Sequence, residues 1–366
     1  MKKKFLINTL FVLLIISFLL SSCKPVEQNK NTENDIKSDD SSSLLKVGMV
    51  TDSGTIDDKS FNQGTWEGIE KYRTDTNKIE TKYLKPQGMQ PSDYKKTIST
   101  LIDSKYDLII TSGFMFEEPV KEISKEFEDT SFVLIDGDAK ESKNVVSVSF
   151  AAEESAFLAG ISAALSTKTN KLGFVGGQAI PPVKDFEFGF KAGVKYAQEK
   201  LDSKAKIEYS QYADSFDDVA KGKTIASTMY SKDVDIIFHA AGGVGTGVIT
   251  EAKERALKDN LVYVIGVDKD QYSEGIYKDD KSIILTSAMK RVDMAAYRFI
   301  DDKVNNKFEG GTQIKLSLKD EGVGLPEENP NLSKETIDEI AKIKKEVVEG
   351  KIVVPKSEEE VEKFLK

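Results

Sequence analysis

The sequence predicts an α/β protein of two lobes, each a parallel sheet flanked by helices, and three observations carry that prediction. Beyond residue 43, apolar runs of strand length alternate with longer amphipathic segments, the pattern of parallel sheets covered by helices. That stretch spans about 320 residues, more than one core of this kind usually holds. A faint internal repeat relates its halves: Gly48, Phe61, Gly64 and Gly68 recur 125 residues later as Gly173, Phe186, Gly189 and Gly193. Both copies read as strand, loop with aromatic, then helix with glycines at four-residue spacing, where small residues are expected to let the helix approach its sheet.

In chain order, Leu44 to Asp52, Ile79 to Leu84, Tyr106 to Ser112, Phe132 to Asp136 and Val145 to Phe150 read as strands. Lys59 to Tyr72, Asp93 to Ser104 and Glu117 to Phe127 supply the helices between them. The second series of strands is Lys171 to Val175, Ile207 to Tyr212, Val234 to Ala240, Leu261 to Asp268 and Ile283 to Thr286. Its helices are Glu153 to Ser166, Phe186 to Lys200, Val219 to Tyr230 and Thr246 to Leu257, with Arg291 to Lys303 following. Ser333 to Glu349 and Ser357 to Lys366 read as solvated helices separated by a short strand or turn, Lys351 to Pro355.

The first 43 residues are of another kind. Lys2, Lys3 and Lys4 precede an apolar run from Phe5 to Leu20 that ends in Leu20-Ser21-Ser22-Cys23. A charged start, a short apolar region and small residues at the break read as an export signal, residues 1–22. The run is short for a spanning helix, which needs about 20 residues. Leu-Ser-Ser-Cys resembles the bacterial lipobox, which implies that Cys23 is diacylated. Cys23 is also the one cysteine of the chain, which leaves no partner for a disulfide and no cysteine metal cluster. Residues 23–43 are polar and poor in apolar side chains, so they are expected to form a disordered tether.

Removing the signal takes away three lysines and no acid, so the formal charge moves from -9 to -9 - 3 = -12. An acidic body is a poor match for nucleic acid. A single histidine, His239, argues against a Ser-His-Asp set and reads as a strand residue bonded to backbone.

Candidate site residues cluster at the ends of strands, the edge where open parallel sheets bind small ligands. Asp52 closes the first strand, with Phe61 and Asn62 at the mouth of the following helix. Each has an ordinary alternative: Asp52 a cap of the loop or of the next helix, Phe61 a core residue. Together they offer a hydroxyl acceptor, a flat stacking face and a two-way hydrogen bonder, which suits an uncharged polar ring compound better than a phosphate. Asp136 and Asp268 likewise end apolar runs, Phe132-Val-Leu-Ile135 and Val262 to Val267. In Phe238-His-Ala-Ala-Gly242-Gly243-Val-Gly245 the spacing fits neither a dinucleotide nor a phosphate loop. These glycines are expected to let backbone N–H groups approach a neutral ligand at a helix start.

The segments Ile56-Asp-Asp-Lys-Ser-Phe-Asn62, Ala241-Gly-Gly-Val-Gly245, Gly266-Val-Asp268-Lys-Asp-Gln271 and Thr286-Ser-Ala-Met-Lys290 together resemble the basic membrane protein family of lipoproteins. The resemblance runs from Lys46 to Pro355. It implies a two-lobe type I periplasmic binding protein fold with three hinge crossings, placed near Phe150, Ser287 and Thr312. The first lobe would then hold residues 44–149 and 289–311, and the second 150–288 and 312–366. It further implies that a nucleobase stacks between aromatics of both lobes: Phe61, and either Phe238 or Phe186. Asp268 would accept sugar hydroxyls, and Lys290 would face the ligand.

The resulting expectation is a monomeric, membrane-tethered substrate-binding lipoprotein of an ABC importer. It would take up adenosine, guanosine or inosine with no cofactor, no metal and no catalysis, and partner a permease and an ATPase. The rival readings are a receptor for sugars or other small polar ligands, a signalling or adhesion lipoprotein, and a nucleoside-acting enzyme in which the three aspartates hold Ca²⁺.

Overall fold

The computed structural model describes residues 44–366; the export signal, Cys23 and the tether expected for 1–43 lie outside the described residues. The first sheet is built from β1 (Leu45–Val50), β2 (Ile79–Leu84), β3 (Leu108–Ser112), β4 (Ser131–Ile135) and β5 (Val145–Phe150). Helices α1 (Phe61–Thr76), α2 (Pro91–Asp103) and α3 (Glu117–Glu126) connect them. β3 and β4 are buried at every residue, as expected of strands covered on both faces.

The second lobe repeats the plan. Its strands are β6 (Lys171–Gly176), β7 (Lys206–Tyr212), β8 (Ile236–Ala240) and β9 (Tyr263–Asp268), then, after a short hairpin of β10 (Ile276–Lys278) and β11 (Lys281–Ser282), β12 (Ile284–Lys290). Its helices are α4 (Ala152–Ser166), α5 (Pro181–Lys200), α6 (Val219–Tyr230) and α7 (Gly243–Ala256). The chain then runs through α8 (Val292–Val304), β13 (Thr312–Leu316), β14 (Val323–Gly324), α9 (Lys334–Val348) and α10 (Glu358–Lys363).

Strand order is β13-β5-β4-β3-β1-β2 in one sheet and β14-β12-β9-β8-β6-β7 in the other. The two halves therefore share one topology, differing at the edge, where β13 runs parallel to β5 and β14 antiparallel to β12. In each, order reverses between the first and third strands, β1/β3 and β6/β8. That reversal opens a crevice at the carboxyl edge.

The internal repeat marks helix–helix contacts, and the expectation that its glycines approach the sheet is corrected. A Cβ at Gly68 would stand 2.2 Å from the Asp293 carbonyl oxygen of α8, and at Gly189 2.2 Å from the Glu153 carbonyl oxygen of α4. Hence α1 closes on α8 in one lobe and α5 on α4 in the other. Both partner helices begin directly after a crossing: α4 after β5, α8 after β12.

The expected third crossing near Thr312 is also corrected. Thr312–Leu316 pairs in parallel register with Val146–Phe150, so the chain stays with the first sheet through Leu316. Met289 and Lys290 end β12 of the second sheet, so the segment returning to the first lobe starts at Arg291. Of the strand or turn expected at Lys351 to Pro355, no strand forms; the segment bends at Lys351 and Ile352 and is otherwise irregular. α5 starts at Pro181, five residues before the expected Phe186, because proline suits a first helical turn.

Candidate functional site

The loop leaving β1 is held by carboxylates. Asp58 caps α1: its carboxylate accepts from the backbone N–H groups of Ser60 (2.9 Å), Asn62 (3.0 Å) and Gln63 (3.1 Å). Of the two capping roles weighed for Asp52, the helix start falls to Asp58, while Asp52 itself caps the loop by accepting the Gly54 N–H at 2.8 Å. Asn62 donates through Nδ2 to Asp52 Oδ1 and Asp58 Oδ2, both at 2.8 Å, and accepts the Asp52 N–H at 3.3 Å. Its amide hydrogens are committed inside the protein, so Asn62 orients Asp52 more than it offers itself to a ligand. Burial pushes the Asp52 carboxyl up to about 6, against the Gly54 N–H and the Asn62 amide, which favour the anion.

Asp136 and Asp268 occupy equivalent places, one at the end of β4 and one at the end of β9, and both adopt left-handed backbone, φ 62° and 65°. Lys290 answers both. Its Nζ lies 2.5 Å from Asp136 Oδ2 with both side chains almost wholly buried. The same ammonium stands 4.9 Å from the Phe61 ring centre and 5.3 Å from that of Phe186, within cation–π reach. Burial pulls its pKa down, but Asp136 and Asp268 outweigh that and leave it above the usual lysine value. Asp268 is pushed up to about 6 by burial, with Lys290 and the Ser60 hydroxyl pulling the other way.

Asp52, Phe61, Asn62, Asp136, Phe186, Gly242, Asp268 and Lys290 line one cavity between the lobes, with about 750 Å³ of empty space including its mouth. Two expected residues do not line it. Phe238 is fully buried, its ring 5.1 Å from Phe190, 5.6 Å from Phe174 and 6.0 Å from Phe186. It belongs to the core and backs Phe186, because it lies two residues short of the end of β8, where Ala240 meets the cavity instead. Gly243 starts α7 outside the lining.

The glycine pair has a use the sequence did not suggest. A Cβ would come 3.2 Å from the Phe216 carbonyl oxygen at Gly242, whose φ is +54°, and 3.1 Å from it at Gly243. The pair makes room for the loop after β7, and Phe216 on that loop lines the cavity. Sequence reasoning missed Phe216, although the signal was present: Asp214-Ser-Phe216-Asp-Asp218 follows a strand at the same edge. Gln178, after β6, and Asp58 are further lining residues it missed. His239 is a buried β8 residue, but its ring nitrogens bond to no protein group among the described residues. Burial lowers its pKa to about 4, so the ring is neutral at pH 7.

Chemically the cavity offers carboxylate acceptors, aromatic faces and one neutralised ammonium. Among the described residues, no group of three or more His, Cys, Asp or Glu side chains is arranged to hold a metal ion. This equips it to bind and orient a polar, uncharged ring compound.

Known proteins share this chain's sequence and fold. The family model for PnrA-like ABC transporter substrate-binding proteins matches residues 45–358. A CD4+ T-cell-stimulating antigen of Listeria innocua is 39% identical over 97% of this chain and 99% of its own length. The ABC transporter nucleoside-binding protein BmpA of Lactococcus lactis is 38% identical over the same shares. Basic membrane protein B of Borreliella burgdorferi is 35% identical over 97% of this chain and 98% of its own. Among solved structures, an ABC transporter solute-binding protein from Aeropyrum pernix superposes with a TM-score of 0.76 at 26% identity, covering 87% of this chain and 96% of that one. With sequence, topology and the interlobe cavity in agreement, the chain belongs to the basic membrane protein family of ABC transporter substrate-binding proteins, a family of binders and not of enzymes.

Proposed function

We propose that the protein binds a purine nucleoside between its lobes and delivers it to the permease and ATPase subunits of an importer. It would act as a monomer, held on the outer face of the cell membrane by lipidated Cys23. The observation that carries this reading is the convergence, in one cavity, of Phe61 from the first lobe with Phe186 and Phe216 from the second, beside Asp52, Asp136 and Asp268. The base stacks between Phe61 and Phe216, a contact worth about 1–3 kcal/mol per base. The ribose hydroxyls donate to Asp268, each bond worth about 1.5–3 kcal/mol. Asp52, held by Asn62, accepts from a further donor of the ligand. Four lining aspartates against one lysine repel a phosphate, so the free nucleoside is preferred over its nucleotide.

The name of the Lactococcus lactis relative, a nucleoside-binding protein, supports the same ligand class. Native mass spectrometry of protein purified from bacteria should show a retained compound of nucleoside mass. Calorimetry should give binding of adenosine, guanosine or inosine, much weaker binding of AMP, and loss of most affinity in Asp268→Ala. Binding of ribose or arabinose with no nucleoside binding would replace this reading with a sugar receptor. Palmitate labelling that disappears in Cys23→Ser tests the anchor.

A further inference from the structure

The contact between the lobes is completed by two side chains that do not line the cavity. Ser60, just before α1 in the first lobe, is fully buried and donates through Oγ to Asp268 Oδ2 of the second lobe at 2.5 Å. Gln271, three residues beyond β9, is also fully buried and donates through Nε2 to the Lys59 carbonyl oxygen of the first lobe at 2.7 Å. The rest of Gln271 is anchored at home: Oε1 accepts the Val267 N–H (3.0 Å), and its own N–H donates to Ser287 Oγ (3.1 Å). One arm is therefore rigid in its own lobe and the other reaches across. At the rim, Lys269 bonds both carboxylate oxygens of Glu67 at 2.8 Å, again from one lobe to the other.

Lys59 and Asp268, the acceptors in this contact, both hold left-handed backbone at φ 61° and 65°. Ordinary residues keep such conformations where their surroundings over-determine them. Parting the lobes gives each of these polar groups to water, and closing exchanges water for bonds across the gap. The net gain of such an exchange is small and depends on geometry. Asp268 also lines the cavity, and among the described residues its carboxylate has no protein hydrogen bond besides that from Ser60. One carboxylate thus serves the interlobe contact and the ligand at once.

We propose that Ser60 and Gln271 are positioning residues that latch the closed state, with Asp268 the group through which bound ligand strengthens the latch. A ligand hydroxyl on one oxygen of Asp268 stops the carboxylate rotating and keeps the other facing Ser60. Ligand and closure then stabilise each other through a shared anion, as linkage requires. The ligand half of this idea rests on the nucleoside reading above; the latch half is a contact of protein with protein.

The test uses the full chain with inosine as probe and the variants Ser60→Ala and Gln271→Met. In stopped-flow measurements each variant should release inosine about tenfold faster while associating within about twofold of the parent, the usual sign of a lost locking contact. A general loss of stability would not produce that split. Interlobe distances are read in parallel, without ligand, from spin labels at Tyr83→Cys and Leu257→Cys in a Cys23→Ser background; both positions are exposed, one on each lobe. The variants should shift this distribution to longer distances. Release rates within twofold of the parent in both variants would overturn the proposal. Should the parent bind no inosine, the nucleoside reading fails alone and the distances decide: longer in the variants supports the latch, and unchanged rejects it.

Discussion

Lys290 shows how one residue can serve both fold and site. Its ammonium ends a buried strand, bonds Asp136 of the other lobe and stands over the rings of Phe61, Phe150 and Phe186. Removing one partner of such a buried pair leaves an uncompensated charge, which typically costs about 3–5 kcal/mol. Lys290→Met should therefore lower unfolding free energy by roughly that much in urea titrations, and Lys290→Met with Asp136→Leu should recover most of it. A single variant as stable as the parent would mean that water reaches the Asp136 carboxylate. Asn62 carries a related lesson. Its type and place are legible in the sequence, but a motif does not disclose that its amide is consumed by Asp52 and Asp58.

At the scale of elements, the repeat is a packing code. Gly68 faces the backbone of α8, and Gly189 and Gly193 face that of α4, each with a built Cβ within about 2.2 Å of a carbonyl oxygen. Backbone cannot yield as a flexible side chain does, so helices must part to admit a methyl group. Gly68→Ala and Gly189→Ala should each cost about 1–3 kcal/mol, the usual range for overpacking, despite alanine's better helix propensity. Denaturant midpoints would check this, and a stabilised variant would show that the helices separate without loss. The spacing of these glycines was readable from the chain. Their partners were not, because α4 and α8 reach the repeat only after the chain has crossed between lobes.

For the whole molecule, acidity links stability and binding. Asp52 and Asp268, and also Asp185 beside the cavity, are each raised by burial from 3.8 to about 6. Between those values the folded chain holds protons that the unfolded chain has released. The stability these groups contribute is therefore complete below about pH 4 and lost as pH rises through 6. Ligand hydroxyls need ionised acceptors, so binding runs the opposite way. On lowering pH from about 7.5 to 5, inosine affinity should fall while Asp52, Asp185 and Asp268 push the melting temperature upward. Asp268→Asn should flatten both trends relative to the parent. Affinity that does not change over that window would show that the carboxylates do not accept from the ligand.

From the sequence alone, hydrophobic periodicity was enough to order the helices and the central strands, since alternation and amphipathic stripes are local properties of the chain, but it missed the short or edge strands β10, β11, β13 and β14. The strand-end rule likewise brought Asp52, Asp136 and Asp268 to one edge, and all three line the same cavity. Tertiary structure decided which face each residue presents and which lobe each segment joins. Phe238 turned inward and Phe216 outward, and Thr312–Leu316 paired with β5 of the first sheet. Ser60 came to bond Asp268, and Gln271 the Lys59 carbonyl, across the gap between segments far apart in the chain. These outcomes depend on contacts between distant segments, whose free energy is set by fit in three dimensions and leaves no periodic trace along one.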